Sequence, residues 1–221
     1  MVNPAGQPDQ RGAQRYSLML RAAKVMTPEG EWVCNVREVS ATGLRLRFFH
    51  DLPEDRYLLI ELANGDRYPI EVVWREDDML GGRFGEAIDV SQFMAEPSPF
   101  PRRQLRVNLR CGALITAAGR DFRAQLLDIS QQGARVDIGS QLDQLQTVRM
   151  EVPGLPLRFG QVRWRDGFSH GLFFDQPMRL DEFARHVHAL QGHGAPIATD
   201  APLPPLGLPG RKGASQHGAL Y

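Results

Sequence analysis

The sequence predicts an all-β chain: two small antiparallel barrels in tandem, each finished by a short helix. Three observations lead there. The same landmarks recur at a spacing of about 90 residues. Within each repeat, short runs alternate apolar and polar residues with the period of a half-buried strand. Turn residues break these runs about every ten positions, without the long helical patterns that a parallel sheet would need between strands.

The duplication runs through the chain in order. Arg11 and Arg15 correspond to Arg102 and Arg106, Ser40 and Gly43 to Ser130 and Gly133, Trp74 to Trp164, and Gly82 and Phe84 to Gly171 and Phe173. An early turn at Pro28, Glu29 and Gly30 has its counterpart at Ala117, Ala118 and Gly119.

The strands follow in sequence. After Gly43, Leu44, Leu46 and Phe48 alternate with Arg45 and Arg47; after Gly133, Ala134, Val136 and Ile138 alternate with Arg135 and Asp137. Each run therefore has one buried and one wet face. Asn64 and Gly65 tolerate positive φ and predict a tight hairpin turn into Tyr68, Ile70, Val72 and Trp74. The matching run, Leu157, Phe159, Val162 and Trp164, shifts parity around Gly160 and predicts a bulge there. Trp74 and Trp164 are expected in the barrel cores. A helix is predicted over 180–191, with Leu180, Phe183, Ala184, Val187 and Leu190 on one stripe, capping the second barrel and stopped by Gly192.

These elements divide the chain into a disordered N-terminus at 1–10, a first domain at 11–94, a Pro-rich linker at 95–101, a second domain at 102–191, and a Pro-, Gly- and Ala-rich tail at 192–221 expected to be disordered.

Composition narrows the function. At 221 residues the chain can bury two modest cores. Its 26 basic residues balance 26 acidic ones, which argues against a broad grip on nucleic acid or an anionic membrane, so any phosphate site must be local. Of the basic residues only Lys24 and Lys212 are lysine; the others are arginine, the side chain suited to planar bidentate recognition. Cys34 and Cys111 are expected as buried free thiols. No stretch approaches the roughly 18 apolar residues of a membrane span and the N-terminus is polar, so a cytoplasmic location is expected.

Arg102 and Arg106, followed some two dozen residues later by Asp128, Ser130 and Gly133 in the pattern Asp-x-Ser-x-x-Gly, resemble the signature of the PilZ family of cyclic di-GMP receptors. The later Trp164, Gly171 and Phe173 are similar to the family's ending. The first repeat matches more loosely, with Glu38 where the family has Asp or Asn. The resemblance implies six-stranded barrels and a bacterial second-messenger receptor without enzymatic activity, whose ligand is cyclic di-GMP and which needs no cofactor. It also implies which residues bind. Arg102 and Arg106, with Arg103 as a third contact, would wrap the ligand, because a guanidinium can clamp phosphate, pair with guanine O6 and N7, or lie on a purine face. Asp128 would accept from guanine N1 and N2, Ser130 would add a hydroxyl, and Gly133 would let the backbone turn closely under the base. A second site would use Arg11, Arg15, Glu38, Ser40 and Gly43, weakened by Glu38, whose extra methylene moves the carboxylate by over an ångström (~1 Å) against hydrogen bonds spanning about 2.7–3.2 Å.

Other signals carry less. His186, His188 and His193 do not share a helix face or a completing ligand set, so no metal is expected. Gly81 and Gly82 lack the following Lys-Ser or Lys-Thr of a phosphate loop. Asp77 and Asp78, like Glu54 and Asp55, fall where turns are expected, and no convergent catalytic set is found. Two functions compete. One is a receptor or adaptor whose inter-domain arrangement and affinity for a motility, polysaccharide or signalling partner change on ligand binding. The other is a PilZ-like protein–protein interaction module without the ligand. A homodimer is as consistent with the sequence as a monomer.

Overall fold

The computed structural model describes residues 16–95 and 104–193. The expected N-terminal segment, the linker beyond Ala95 and the tail beyond His193 lie outside the described residues, as do Arg11, Arg15, Arg102 and Arg103.

Both halves close into antiparallel six-stranded barrels. The first contains β1 (Tyr16–Thr27), β2 (Gly30–Val39), β3 (Gly43–Phe48), β4 (Tyr57–Leu62), β5 (Arg67–Glu76) and β6 (Met79–Phe84), then α1 (Val90–Ala95). The second repeats the plan with β7 (Val107–Ala117), β8 (Arg120–Ser130), β9 (Gly133–Ile138), β10 (Thr147–Glu151), β11 (Arg158–Asp166) and β12 (Ser169–Phe174), then α2 (Leu180–His193). The strand order is β1-β2-β3-β6-β5-β4 in one barrel and its equivalent, β7-β8-β9-β12-β11-β10, in the other. Closure satisfies the backbone groups that open sheet edges would expose.

The alternating runs bury as read. Leu46, Phe48, Val136 and Ile138 are sealed in the cores while Arg45, Arg47, Arg135 and Asp137 stand outside. Gly65 takes a φ of 94° in the β4–β5 turn, and Asn64 Oδ1 accepts the Asp66 amide at 3.0 Å. Asp89 caps α1 by accepting the Ser91 and Gln92 amides, and Arg21 donates to the Phe93 and Met94 carbonyls at the helix's other end. Cys34 is buried and Cys111 half-buried; both are free thiols whose pKa burial pushes up.

Four expectations need correction. Trp74 and Trp164 are not core residues but 37% and 41% exposed. Register shifts between Val72 and Trp74, and between Val162 and Trp164, insert one residue and turn each indole to the outer face. The bulge is therefore beyond Val162, not at Gly160: Gly160 and Val162 both face inward, while Leu157 and Phe159 are exposed. The same register makes Gly81 and Phe84 the counterparts of Gly171 and Phe174, one residue off the sequence pairing. Finally, α2 runs through Gly192 to His193, because Gly192 does not adopt the positive φ that would end it.

Helix α2 does more than close its own barrel. Phe183, Ala184 and Val187 are buried in the second core, whose cluster also takes in Val33 and touches Ala22 and Phe49 of the first barrel. At its end, Gln191 accepts the Glu31 amide at 2.6 Å and donates to the Glu31 carbonyl at 2.7 Å. His188 stacks on His50 with ring centroids 4.2 Å apart. None of the helices among the described residues is long and apolar enough to cross a membrane.

Candidate functional site

A bulge in β8 aims the site. Leu126 pairs with Val136, one residue is skipped, and Asp128 pairs with Arg135. Leu126 and Ile129 both point into the core, so the extra residue turns Asp128 to the outer face. There Asp128 Oδ1 accepts from Arg106 Nη1, and Oδ2 is ion-paired with Arg135, whose Nε lies 2.8 Å away. The Asp128 side chain is 10% exposed and those of Arg106 and Arg135 are 42% and 45%. A nearly buried anion thus orients two half-exposed cations that keep spare N–H donors for another acceptor. Such pairs add little stability when half-exposed; their value is positional.

The Ser-to-Gly turn is locked internally. Ser130 Oγ lies 3.2 Å from Gln104 Oε1 and 3.3 Å from the Gly133 carbonyl, which share its one proton. Gln104 also accepts the Gln132 amide at 3.1 Å and donates to Gln132 Oε1 at 3.0 Å, strapping the segment before β7 to this turn. A Cβ on Gly133 would stand 2.4 Å from the Leu172 carbonyl oxygen. Its missing side chain is thus required by the neighbouring strand β12.

Arg106, Gln104, Ser130 and Gly133 form one side of an outer cleft of about 610 Å³; Trp164 and Phe173 form the other. This volume is within the range of small-molecule sites. Trp164 lies against the Gly171 backbone, where a Cβ would stand 2.1 Å from the indole nitrogen. The Arg163 guanidinium lies 5.6 Å from the Phe173 ring centroid. The cleft thus combines cationic donors with flat apolar surface. A wider groove of about 890 Å³, bounded by Leu114, Val152, Leu155 and Leu157, contains none of the predicted residues.

In the first barrel Glu38, Ser40 and Gly43 occupy the equivalent places around a cleft of about 360 Å³. Glu38 Oε1 accepts from Arg45 Nη1 at 3.1 Å, and Ser40 Oγ donates to the Gly43 carbonyl at 3.2 Å.

Of the predicted residues, Arg106, Asp128, Ser130 and Gly133 come together. Arg135, Gln104 and Trp164 were missed. Arg135 had a signal, since it is the first outward residue after Gly133 and Arg45 repeats it; Trp164 was hidden by the bulge. The set-aside histidines diverge, His186 Nδ1 meeting the Gly154 carbonyl at 3.0 Å while His188 lies on His50.

A family model described as PilZ domain matches the chain twice, over residues 9–95 and 100–192. No curated protein matches the chain. Solved structures similar to it include Borreliella burgdorferi PlzA in complex with c-di-GMP, 14% identical, covering 80% of this chain and 93% of that one at a TM-score of 0.32. Bacillus subtilis inhibitor of motility MotI/DgrA is 13% identical, with 80% and 95% covered and a TM-score of 0.33. Escherichia coli YcgR in complex with c-di-GMP is 12% identical, with 76% and 82% covered and a TM-score of 0.30.

Proposed function

The chain belongs to the PilZ domain family, and from that premise we propose that its second barrel is a cyclic di-GMP receptor. The observation that carries the reading is the shared carboxylate: Asp128 holds Arg106 and Arg135 on the outer face, beside a cleft walled by Trp164. The ligand's phosphates call for paired guanidinium donors, and its guanines call for flat surfaces and hydrogen-bonding edges. Arg106 supplies donors from the cleft's lining and Arg135 from the outer face beside it, Trp164 a face on which a base stacks, and Asp128 the anchor that presents the arginines. Arg102 and Arg103, four and three residues before Arg106, complete the clamp in this reading.

Binding also has a route to the first barrel. The backbone carbonyl of Arg106 accepts Lys24 Nζ at 2.9 Å, and Asn108 donates through its amide and side chain to Glu31. Drawing Arg106 onto a ligand pulls on the strand start that both barrels share, so occupancy changes how they sit together and what surface they offer a partner. We place this adaptor in the bacterial cytoplasm, acting on a motility, polysaccharide or signalling partner.

Titration calorimetry tests the reading. The full chain gives a saturable heat with cyclic di-GMP and Arg106→Ala abolishes it; a silent wild-type chain contradicts it. A ligand-independent interaction module is the second reading, favoured by Phe159, Phe168 and Phe173, each about half exposed on the β11–β12 hairpin.

A further inference from the structure

The two barrels carry the same residue types in the same cross-strand places, and one of them stands differently. Arg45 pairs with Glu38 on one side and Gly81 on the other; Arg135 pairs with Asp128 and Gly171. Trp74 lies on Gly81 as Trp164 lies on Gly171, each so close that a Cβ would stand 2.1 Å from the indole nitrogen. Each tryptophan is therefore pinned to a bare backbone with an arginine on the adjoining strand.

In the first barrel the longer Glu38 meets Arg45 at its terminal Nη1, and the guanidinium lies over the Trp74 ring, 5.6 Å from its centroid. In the second, the shorter Asp128 takes Arg135 through Nε. No guanidinium lies over the Trp164 ring among the described residues. Arg45 lines the first cleft beside Trp74, whereas Arg135 is not part of the second cleft's lining.

We propose that Arg45 is an intramolecular plug, stacked on Trp74 in the place a purine base would take and confining nucleotide binding to the second barrel. The inference rests on reading the second cleft as the nucleotide site. A guanidinium is a flat cation that satisfies an indole face as a base does. Glu38 tethers it, so an incoming base must break an ion pair as well as a stack. The single methylene separating Glu38 from Asp128 thus does more than misplace a carboxylate: it changes which nitrogen of the arginine is held, and so where the guanidinium lies.

The chain has three tryptophans, so single reporters can be made. Trp32→Phe with Trp74→Phe leaves Trp164; Trp32→Phe with Trp164→Phe leaves Trp74. Each chain is titrated with cyclic di-GMP and, separately, with acrylamide. The Trp164 chain is expected to quench saturably with nucleotide and the Trp74 chain to stay unchanged. Adding Arg45→Ala to the latter brings on nucleotide quenching and raises the acrylamide quenching constant about twofold, as the covering cation is removed. The plug is overturned if Trp74 responds to nucleotide with Arg45 in place. It is overturned equally if Arg45→Ala leaves acrylamide access unchanged, or brings on no nucleotide quenching where Trp164 shows it. A silent Trp164 chain instead removes the reading of the second cleft, and does so in a different protein.

Discussion

Lys24 of the first barrel donates its ammonium to the backbone carbonyl of Arg106 in the second at 2.9 Å. The same ammonium pairs with Glu31 at 2.9 Å and Glu61 at 3.1 Å, with only 5% of its side chain exposed. It is the one lysine among the described residues. A buried cation shared by two carboxylates and a carbonyl is held by geometry rather than by net Coulomb gain, and its removal leaves uncompensated charge.

Lys24→Ala is therefore expected to destabilise the chain by about 3–5 kcal/mol. Urea unfolding measures it. A loss within about 0.5 kcal/mol, the size of an ordinary surface substitution, would show that the interface does not depend on this ammonium.

Two glycines separate close approach from open space. Gly133→Ala places a methyl against the Leu172 carbonyl and forces β9 and β12 apart, at a cost of about 1–3 kcal/mol. Gly112, also in a strand, has nothing within 4 Å of its missing Cβ. Gly112→Ala is expected to be neutral or to stabilise by about 0.5 kcal/mol through reduced chain entropy. Thermal unfolding of the two variants compares them directly.

Acid should loosen the inter-barrel contact. Burial pushes the pKa of His50 and of His188 below the usual imidazole value; at His50 the bond to the Asp51 carbonyl opposes this and the neighbouring His188 adds to it. The unfolded chain takes up protons below about pH 6.5, while the folded pair resists them until the pH reaches its lowered values. Stability is thus fully present above about pH 6.5 and falls as the pH drops through that window, because the unfolded state binds more protons. Melting curves from pH 7.5 to 5 should show a smaller decline for His50→Leu with His188→Leu than for wild type; equal declines would contradict the assignment.

Trp164 is expected to carry base stacking. Trp164→Ala should weaken cyclic di-GMP binding by about 1–3 kcal/mol, roughly fivefold to 150-fold, while Trp74→Ala leaves the affinity unchanged. Calorimetric titration of both variants distinguishes them, and equal effects would place the ligand elsewhere.

What was legible in the sequence follows from periodicity and local chemistry. The strands were visible because Leu44, Leu46 and Phe48, or Ala134, Val136 and Ile138, keep strict alternation over a whole run. Trp74 and Trp164 were misplaced because a bulge adds one residue without changing composition, and a run read straight through it assigns the wrong face. Asp128 and Arg106 were legible as a motif, but the third partner, Arg135, depends on cross-strand register, which only the folded barrel fixes. The link from Lys24 to Arg106 spans 82 residues and leaves no local trace in either segment.

The central question is whether this chain holds a guanine dinucleotide in the cleft lined by Arg106 and Trp164. Equilibrium dialysis of the full-length protein against labelled cyclic di-GMP, beside an Asp128→Ala variant, measures that without relying on heat or fluorescence. Saturable binding with a Kd in the micromolar range or below, lost in the variant, is the predicted result; no retention by the wild-type chain, or equal retention by both, would contradict it.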